Sequence, residues 1–570
     1  MKPNDPITII GDLKTSNPSK GIAPSPIEGI AHIRGLDVTT NPGTARLNWN
    51  SNKQSASVVN GMPVWQKKDP VNNFLAGNIW ALDDIYNLYF SFDNGSTWNL
   101  ILGNGAGMGQ GLEIWKNYLF VIGTYIDILG PLGGTVGTGT VSDSGTALTG
   151  VGTDFGTTGV QAGDVIYIGT AGSLQYRKVN SITNTTSLTL SSAFTGTISG
   201  ATYGFMHWTV HWTSSPDITP VAGLGETFRP TLKSIDGKLY YGNGKYVHSV
   251  TENAAPFVPA TAGSYITVAK AITLADNYEI RAIRDLGQYL MLGTIYAQSN
   301  LIADIFPYDR SSLTLGIPIR IAEAGVRAMI TDGNRLYVMA GVTGKIFVTD
   351  TVSAQQIVQI PNYVCNLDGS KQFFIYPDGM MYQKGKLFFG LSTPGTTGAI
   401  GSCGVWSYNL TTKALQLENI ISTGNDGTTQ ALSVSSLLAN GPDYYLIGWK
   451  DNVTYGIDKI DTTLRVPSGY IESQFIKVGQ ALANRTIGQI EITVQKPLTT
   501  GTGVKVYYRK DLNSSWTLIA TMDYATFQGT MSQNFSAASI TNAVMLQIRA
   551  ELDSATSISP ELQSVLLIPD

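Results

Sequence analysis

At 570 residues the chain is too long for one hydrophobic core, and the usual domain size points to three or four units. Charged side chains make up 14%, against about 25% in an average soluble protein, while 62 glycines accompany runs of Ser, Thr and Asn. A formal net charge of −4 supplies no basic stripe, which argues against an electrostatic grip on nucleic acid.

Helical periodicity is scarce, whereas short alternating runs bounded by Gly, Asn, Asp and Pro recur throughout, so the predicted class is all-β. Residues 1–30 read as an N-terminal arm without a long apolar stretch, and no run reaches the roughly 18 apolar residues a helical membrane span needs. The sequence therefore predicts neither a secretion signal nor a bilayer crossing. Residues 31–132 read as the first part of a β-propeller. The apolar stretch at 29–49 is a candidate donor of the strand that closes the ring against the last blade, removing two open sheet edges. Residues 79–100, IWALDDIYNLYFSFDNGSTWNL, supply a first blade unit.

Within that unit Ser91, Asp93, Gly95, Thr97 and Trp98 fit the Asp-box pattern Ser-x-Asp-x-Gly-x-Thr-Trp. The expected role is structural: a carboxylate that accepts backbone N–H groups across a tight turn, a glycine at φ > 0, and a tryptophan beneath the hairpin. The Gly-rich stretch 103–111 lacks the flanking strand and helix of a dinucleotide site and reads as an inter-blade loop.

From 133 to 204 the composition turns to Gly, Thr and Ser. Alternation in DVIYIG, YRKVNSI and SLTLSSAF predicts a small independent β-barrel or sandwich inserted between strands of the second blade. The propeller then resumes over 205–468. In HWTVHW, His207 and His211 fall on one face of a strand and Trp208 and Trp212 on the other. No third ligand accompanies the pair, so structural histidines are expected rather than a metal site.

The strongest runs repeat one phrase. Residues 115–129, 236–250, 286–305, 332–350, 384–409 and 442–458 each contain a polar turn, a Leu-Tyr/Phe-apolar strand, a small-residue break and a second strand. A hairpin cannot bury its own face, so such units must stack. Their spacing of roughly 40–50 residues suits about seven propeller blades, with six or eight also open. Cys365 and Cys403 are too few for a disulfide framework or a zinc ribbon; two buried thiols are expected, with one bridge left open. Residues 469–570, with alternating strands in TIGQIEITVQK, GVKVYYRKD and AVMLQIRAEL, predict a C-terminal β-sandwich.

An Asp box resembles the outer turns of sialidase-type propellers, a likeness that implies fold and not catalysis. That family carries an arginine triad for a carboxylate and a Phe/Tyr-Arg-Ile-Pro motif; here the motif is matched only by Phe228-Arg229-Pro230, without the Ile, one clear Asp box stands where several would be expected, and no Tyr-Glu nucleophile pair can be assembled. Asp83, Asp84 and Glu226 remain open as a carboxylate pair for glycoside hydrolysis, since that chemistry needs proximity in space rather than in sequence. No phosphate loop, activated nucleophile or metal-ligand cluster is visible, so no enzyme activity, cofactor or metal is expected.

The segment GTVSDSGTALTGVGTDF with AGDVIYIG and TSLTLSSAF resembles the small β-modules of tailed-bacteriophage virion proteins. The ending, GVKVYYRKDLNSSWTLIATM through AVMLQIRAELDS to SISPELQSVLLIPD, resembles C-terminal β-sandwich domains of phage tail components. With the propeller between them, the chain is similar in kind to tail nozzle or hub subunits. The resemblance implies a ring-forming homo-oligomer in the virion tail, assembled in the host cytoplasm among other tail proteins, with phage DNA passing through the ring. A carbohydrate- or receptor-binding module that meets a host-surface glycan, and a propeller glycosidase, stay open as alternatives.

Overall fold

The computed structural model describes residues 7–10, 30–34, 36–37 and 45–569, except 55–60, 69–78, 103–108, 213–232, 297–301, 361–372, 393–402, 478–485 and shorter gaps in loops. Every regular element among them is a strand. Seven antiparallel units of four strands form a β-propeller. Blade 1 comprises Pro63–Lys68, Ile79–Asp83, Leu88–Ser91 and Asn99–Leu102. Blade 2 comprises Gly111–Trp115, Tyr118–Ile122, Ile126–Val136 and Tyr203–Thr209. Blades 3, 4 and 5 begin on Lys233–Ile235, Tyr278–Leu286 and Val326–Thr331, and blades 6 and 7 on Met380–Gln383 and Leu432–Ala439.

Local chemistry sets these hairpins. Lys116-Asn117, Asp236-Gly237 and Lys384-Gly385 are two-residue turns with both φ angles positive, the geometry that matches strand twist and selects Asn, Asp and Gly. Strand alternation then sets the stacking. In Ile79–Asp83, Ile79 and Ala81 face Leu446 and Ile457 of blade 7, while Trp80 and Leu82 face Leu112, Leu119 and Val121 of blade 2. Leu88 and Phe90 continue the second face and Tyr89 the first. The same arrangement joins blades 2 and 3 through Phe120, Ile128, Leu239 and Tyr241, and blades 4 and 5 through Met291, Ile305, Met329 and Val338. At about 1.5–3 kcal/mol per buried large apolar side chain, each blade is stable only between two neighbours.

The ring closes on Trp49–Lys53, which pairs antiparallel with Thr454–Arg465 as the fourth strand of blade 7. That strand begins where the predicted closing stretch ends. Most of the stretch has another destination, and so has the arm expected at 1–30: Ile7–Ile10 pairs with Leu562–Pro569, and Ile30–Arg34 pairs with Ser468–Ser473. Both strands thus join sheets of the C-terminal sandwich rather than standing apart or opening the propeller. One sandwich sheet holds Ile7–Ile10, Leu562–Pro569, Ile487–Val494 and Ser532–Ser536. The other runs through Ile30–Arg34, Ser468–Ser473, Met545–Ser554, Thr502–Arg509 and Thr517–Asp523. It continues into blade 6 through the parallel contact of Arg34 with Leu417. Without the arm strands the sandwich would present unpaired edges, which accounts for their capture.

The insert lies between the third and fourth strands of blade 2. Its strands Thr140–Ser144, Ala147–Val151, Ser187–Leu190, Gln175–Asn184 and Val165–Ile168 end on Tyr203–Thr209 of the blade itself. Reciprocal N–H···O bonds between Val141 and Ala201, 2.8 and 2.9 Å, close it into a barrel. Leu148, Phe155, Ile166, Leu188 and Phe205 fill the barrel. The expected independence does not hold, because the alternate residues Val165, Tyr176 and Met206 pack into the core shared by blades 1 and 2, with the Tyr176 ring 4.8 Å from that of Phe90.

Candidate functional site

The Asp-box residues assemble as one turn between the third and fourth strands of blade 1. Asp93 Oδ1 accepts the Ser91 hydroxyl at 2.8 Å, the Ser96 N–H at 3.0 Å and the Thr97 N–H at 2.7 Å. The Gly95 N–H donates to Ser91 Oγ at 2.9 Å, and the buried Trp98 indole donates to the Gly95 carbonyl at 3.0 Å. Burial pushes the Asp93 carboxyl up, but the donors from Thr97, Ser91 and Ser96 outweigh it and hold the carboxyl below its ordinary range. Gly95 sits at φ +79°, and a Cβ there would lie 2.7 Å from Leu446 Cδ1 of blade 7, so the turn is also a seam contact.

The candidate carboxylates are engaged as turn anchors. Asp83 is fully buried and accepts the Asn87 N–H at 2.7 Å, the Asn87 amide at 2.8 Å, the Ile85 N–H at 3.1 Å and the Tyr89 hydroxyl at 3.1 Å. Asp84 accepts the Met62 N–H at 2.7 Å. Desolvation raises both carboxyls above their ordinary range. A Cβ on Gly61 would approach both carboxylates within 2.8 Å, so the two pack closely against that backbone. Glu226, Phe228, Arg229, Pro230, His211 and Cys365 lie outside the described residues, as does nearly all of the Gly-rich loop at 103–111. Cys403 is buried.

His207 is placed at the joint of blade and barrel. Its Nδ1 lies 2.8 Å from Asp164 Oδ2, and the buried Asp164 carboxylate also accepts the Trp208 N–H at 3.1 Å and the Gln161 N–H at 2.8 Å. The hydrogen bond to Asp164 raises the imidazole above its ordinary pKa, against the opposing effect of burial. Trp212 packs between blades 2 and 3 and donates its indole N–H to the Tyr265 hydroxyl at 3.1 Å. Among the described residues no three His, Cys, Asp or Glu side chains converge as a metal site would require.

Sequence reasoning missed the axial cavity. Where the innermost strands converge, a space of about 350 Å³ is lined from six of the seven blades, with Trp65, Leu112, Met381 and Leu437 among its apolar walls. Lys67, Lys68, Glu113, Arg284, Asp285 and Asp378 line it as well. Lys67 and Glu113 form an ion pair at 2.8 Å. Asp378 accepts the Gln66 N–H at 3.0 Å, while its own carbonyl accepts from the Leu437 N–H at 2.9 Å and ties blade 6 to blade 7. Desolvation pushes the Asp378 carboxyl up to about 7, despite the Gln66 hydrogen bond and the nearby Arg284 and Lys67 charges.

Seven stacked four-stranded units closed by an N-terminal strand define a β-propeller protein, here carrying a barrel in its second blade and a sandwich beside its sixth. Neither a family model nor a curated protein matches the chain. Solved structures do. The protein YCF48 from Cyanidioschyzon merolae is 8% identical, with 72% of this chain and 98% of that one covered at a TM-score of 0.38. The β-propeller domain of Cps50 (Swd1) from Myceliophteria thermophila is 8% identical, covering 72% and 99% at 0.37. A YCF48 structure with bound D1 peptide is 10% identical, covering 72% and 94% at 0.38. At these identities the propeller assignment rests on the chain's own sheet topology. No helix among the described residues is long and apolar enough to cross a membrane.

Proposed function

We propose that the chain is a non-enzymatic structural subunit of a tailed-phage particle, a ring-forming nozzle, hub or baseplate component whose mechanism is assembly. The observation that carries this reading is the pair of β-modules built onto a propeller body: a barrel grown from the outer strand of blade 2, and a sandwich grown from the outer strand of blade 6. Both resemble the β-modules of phage virion proteins in their sequence pattern. The barrel also leaves Val136 and Val151 80% and 78% exposed, apolar side chains suited to burial against a neighbour. Low charge fits a subunit that hides much of its surface, and the engagement of Asp83 and Asp84 in turns weighs against the glycosidase reading. The partners are then further copies of this chain and other tail proteins, in the virion, with phage DNA passing through the ring lumen.

Native mass spectrometry of the purified chain and peptide mapping of purified particles test this together. A discrete oligomer, and peptides of this chain in the particle, are expected. Val136→Asp combined with Val151→Asp, at the two exposed apolar positions, should leave a folded propeller that no longer oligomerises. A chain that is monomeric at every concentration and absent from particles would sink the proposal.

A further inference from the structure

Three cations, Lys67, Lys68 and Arg284, and three acids, Glu113, Asp285 and Asp378, line the axial cavity. Lys67 and Glu113 form a pair, but Arg284 and Asp378 form none with each other, although each lies within electrostatic reach of the other. Arg284 donates from Nη1 to the Ile283 carbonyl at 2.8 Å, and Asp378 accepts one backbone N–H. A cation and an anion thus line one small space without pairing with each other, Arg284 on the first strand of blade 4 and Asp378 just before the first strand of blade 6. A ligand that carries both charges would give each group an opposite charge at closer range than either has from the other.

From this geometry we infer that the axial cavity binds a small zwitterion, a compact amino acid whose ammonium group faces Asp378 and whose carboxylate faces Arg284. The volume of about 350 Å³ lies at the lower end of the roughly 300–1,000 Å³ usual for small-ligand pockets. Leu112, Met381 and Leu437 supply apolar contact for the carbon frame between the two charges. The inner strands are held by inter-strand and inter-blade packing, so the site is preformed and little ordering cost falls on binding. A carboxylate gives the guanidinium the planar acceptor it prefers, and a metal ion is disfavoured because, among the described residues, no three His, Cys, Asp or Glu side chains converge there. The raised Asp378 carboxyl adds a pH signature: it must ionise to receive the ammonium group, so affinity should rise between pH 6 and pH 8.

Isothermal titration of the full chain with L-alanine, 4-aminobutanoate and 6-aminohexanoate, against butylammonium and butyrate as single-charge controls, tests the inference. At least one zwitterion should bind about tenfold or more tightly than either control. Asp378→Asn and Arg284→Gln should each weaken it by a similar factor, with circular dichroism reporting retained β-structure. If Asp378→Asn fails to fold, Arg284→Gln together with the pH dependence of the parent chain decides the matter. No zwitterion binding, equal binding of a single-charge control, or full affinity in Arg284→Gln would overturn it. Loss of the proposed assembly role would not, because oligomerisation and titration are read separately.

Discussion

The Lys459 ammonium group, on the third strand of the last blade, donates to the Ser96 hydroxyl in the Asp-box turn of the first blade at 2.9 Å. This bond crosses the seam at which the ring closes. Leu446 against Gly95, and the shared core of Tyr89, Trp98 and Ile457, cross it as well. The Asp box therefore shapes one turn and also presents that turn to the neighbouring blade.

Asp93→Ala should cost about 1–3 kcal/mol, the penalty for leaving partly buried turn donors unsatisfied. Asp93→Asn, which keeps an acceptor, should cost less. Because the folded carboxyl lies below its unfolded value, its contribution is present above the unfolded pKa and fades as pH falls through the folded one. Thermal unfolding from pH 7 down to pH 3 should show parent and Asp93→Ala converging at the acid end. A constant difference across that range would contradict this account.

Gly95→Ala combines a left-handed backbone with a methyl group against Leu446 and should cost about 2–4 kcal/mol. Shortening Leu446 to Ala removes the clash but leaves the backbone strain. Chemical denaturation of both single variants and the double should therefore give a double cost smaller than the sum. Strict additivity would place the strain elsewhere.

His207 makes the blade–barrel joint sensitive to pH. Its folded pKa is raised by Asp164, so the added stability is complete below the unfolded value near 6.5 and is lost as pH rises through the folded value. Hydrogen exchange in Val165–Ile168 and Tyr203–Thr209 should accelerate from pH 6 to pH 8, after correction for intrinsic rates, and His207→Gln should abolish that change. An unaltered pH profile in the variant would show that the imidazole charge plays no part.

Removing residues 1–53 strips the fourth strand from blade 7, one edge strand from the sandwich and the strand that joins its other sheet to blade 6. It also removes Asn48, whose amide donates to the carbonyl and carboxylate of buried Glu418 at 3.0 Å each. Exposed edges should cause aggregation and a broadened, lowered melting transition. The missing segment supplied as a separate peptide should restore the transition in part. A truncated chain that melts like the parent would mean that the ring holds without its clasp.

Much of the fold was legible because blade construction is local. The alternation of Ile79, Trp80, Ala81 and Leu82 and the turn residues at 116–117, 236–237 and 384–385 are written within a few positions of one another. The closing strand, Trp-Asn-Ser-Asn-Lys, was harder to place because it is mostly polar and carries no apolar alternation. The axial cavity was illegible for a different reason. Lys67 and Arg284 lie on strands of two blades and Asp378 just before the first strand of a third, and each alone reads as an ordinary polar residue; only ring closure makes them neighbours. His207 was noticed as half of a histidine pair, yet its partner Asp164 emerges only once the barrel folds back on the blade.

Capture of the N-terminal strands has a consequence for biosynthesis. The Leu47 N–H bonds to Ser559 Oγ across a sequence separation of 512 residues, and Ile7 opposes Leu567. During translation the earliest strands emerge long before the edges that receive them, while the middle blades can stack as they leave the ribosome. Fastening the two ends must then be a late event, slowed by loop-closure entropy, and a nascent chain awaiting it presents bare strand edges for which a chaperone or a sister chain can compete.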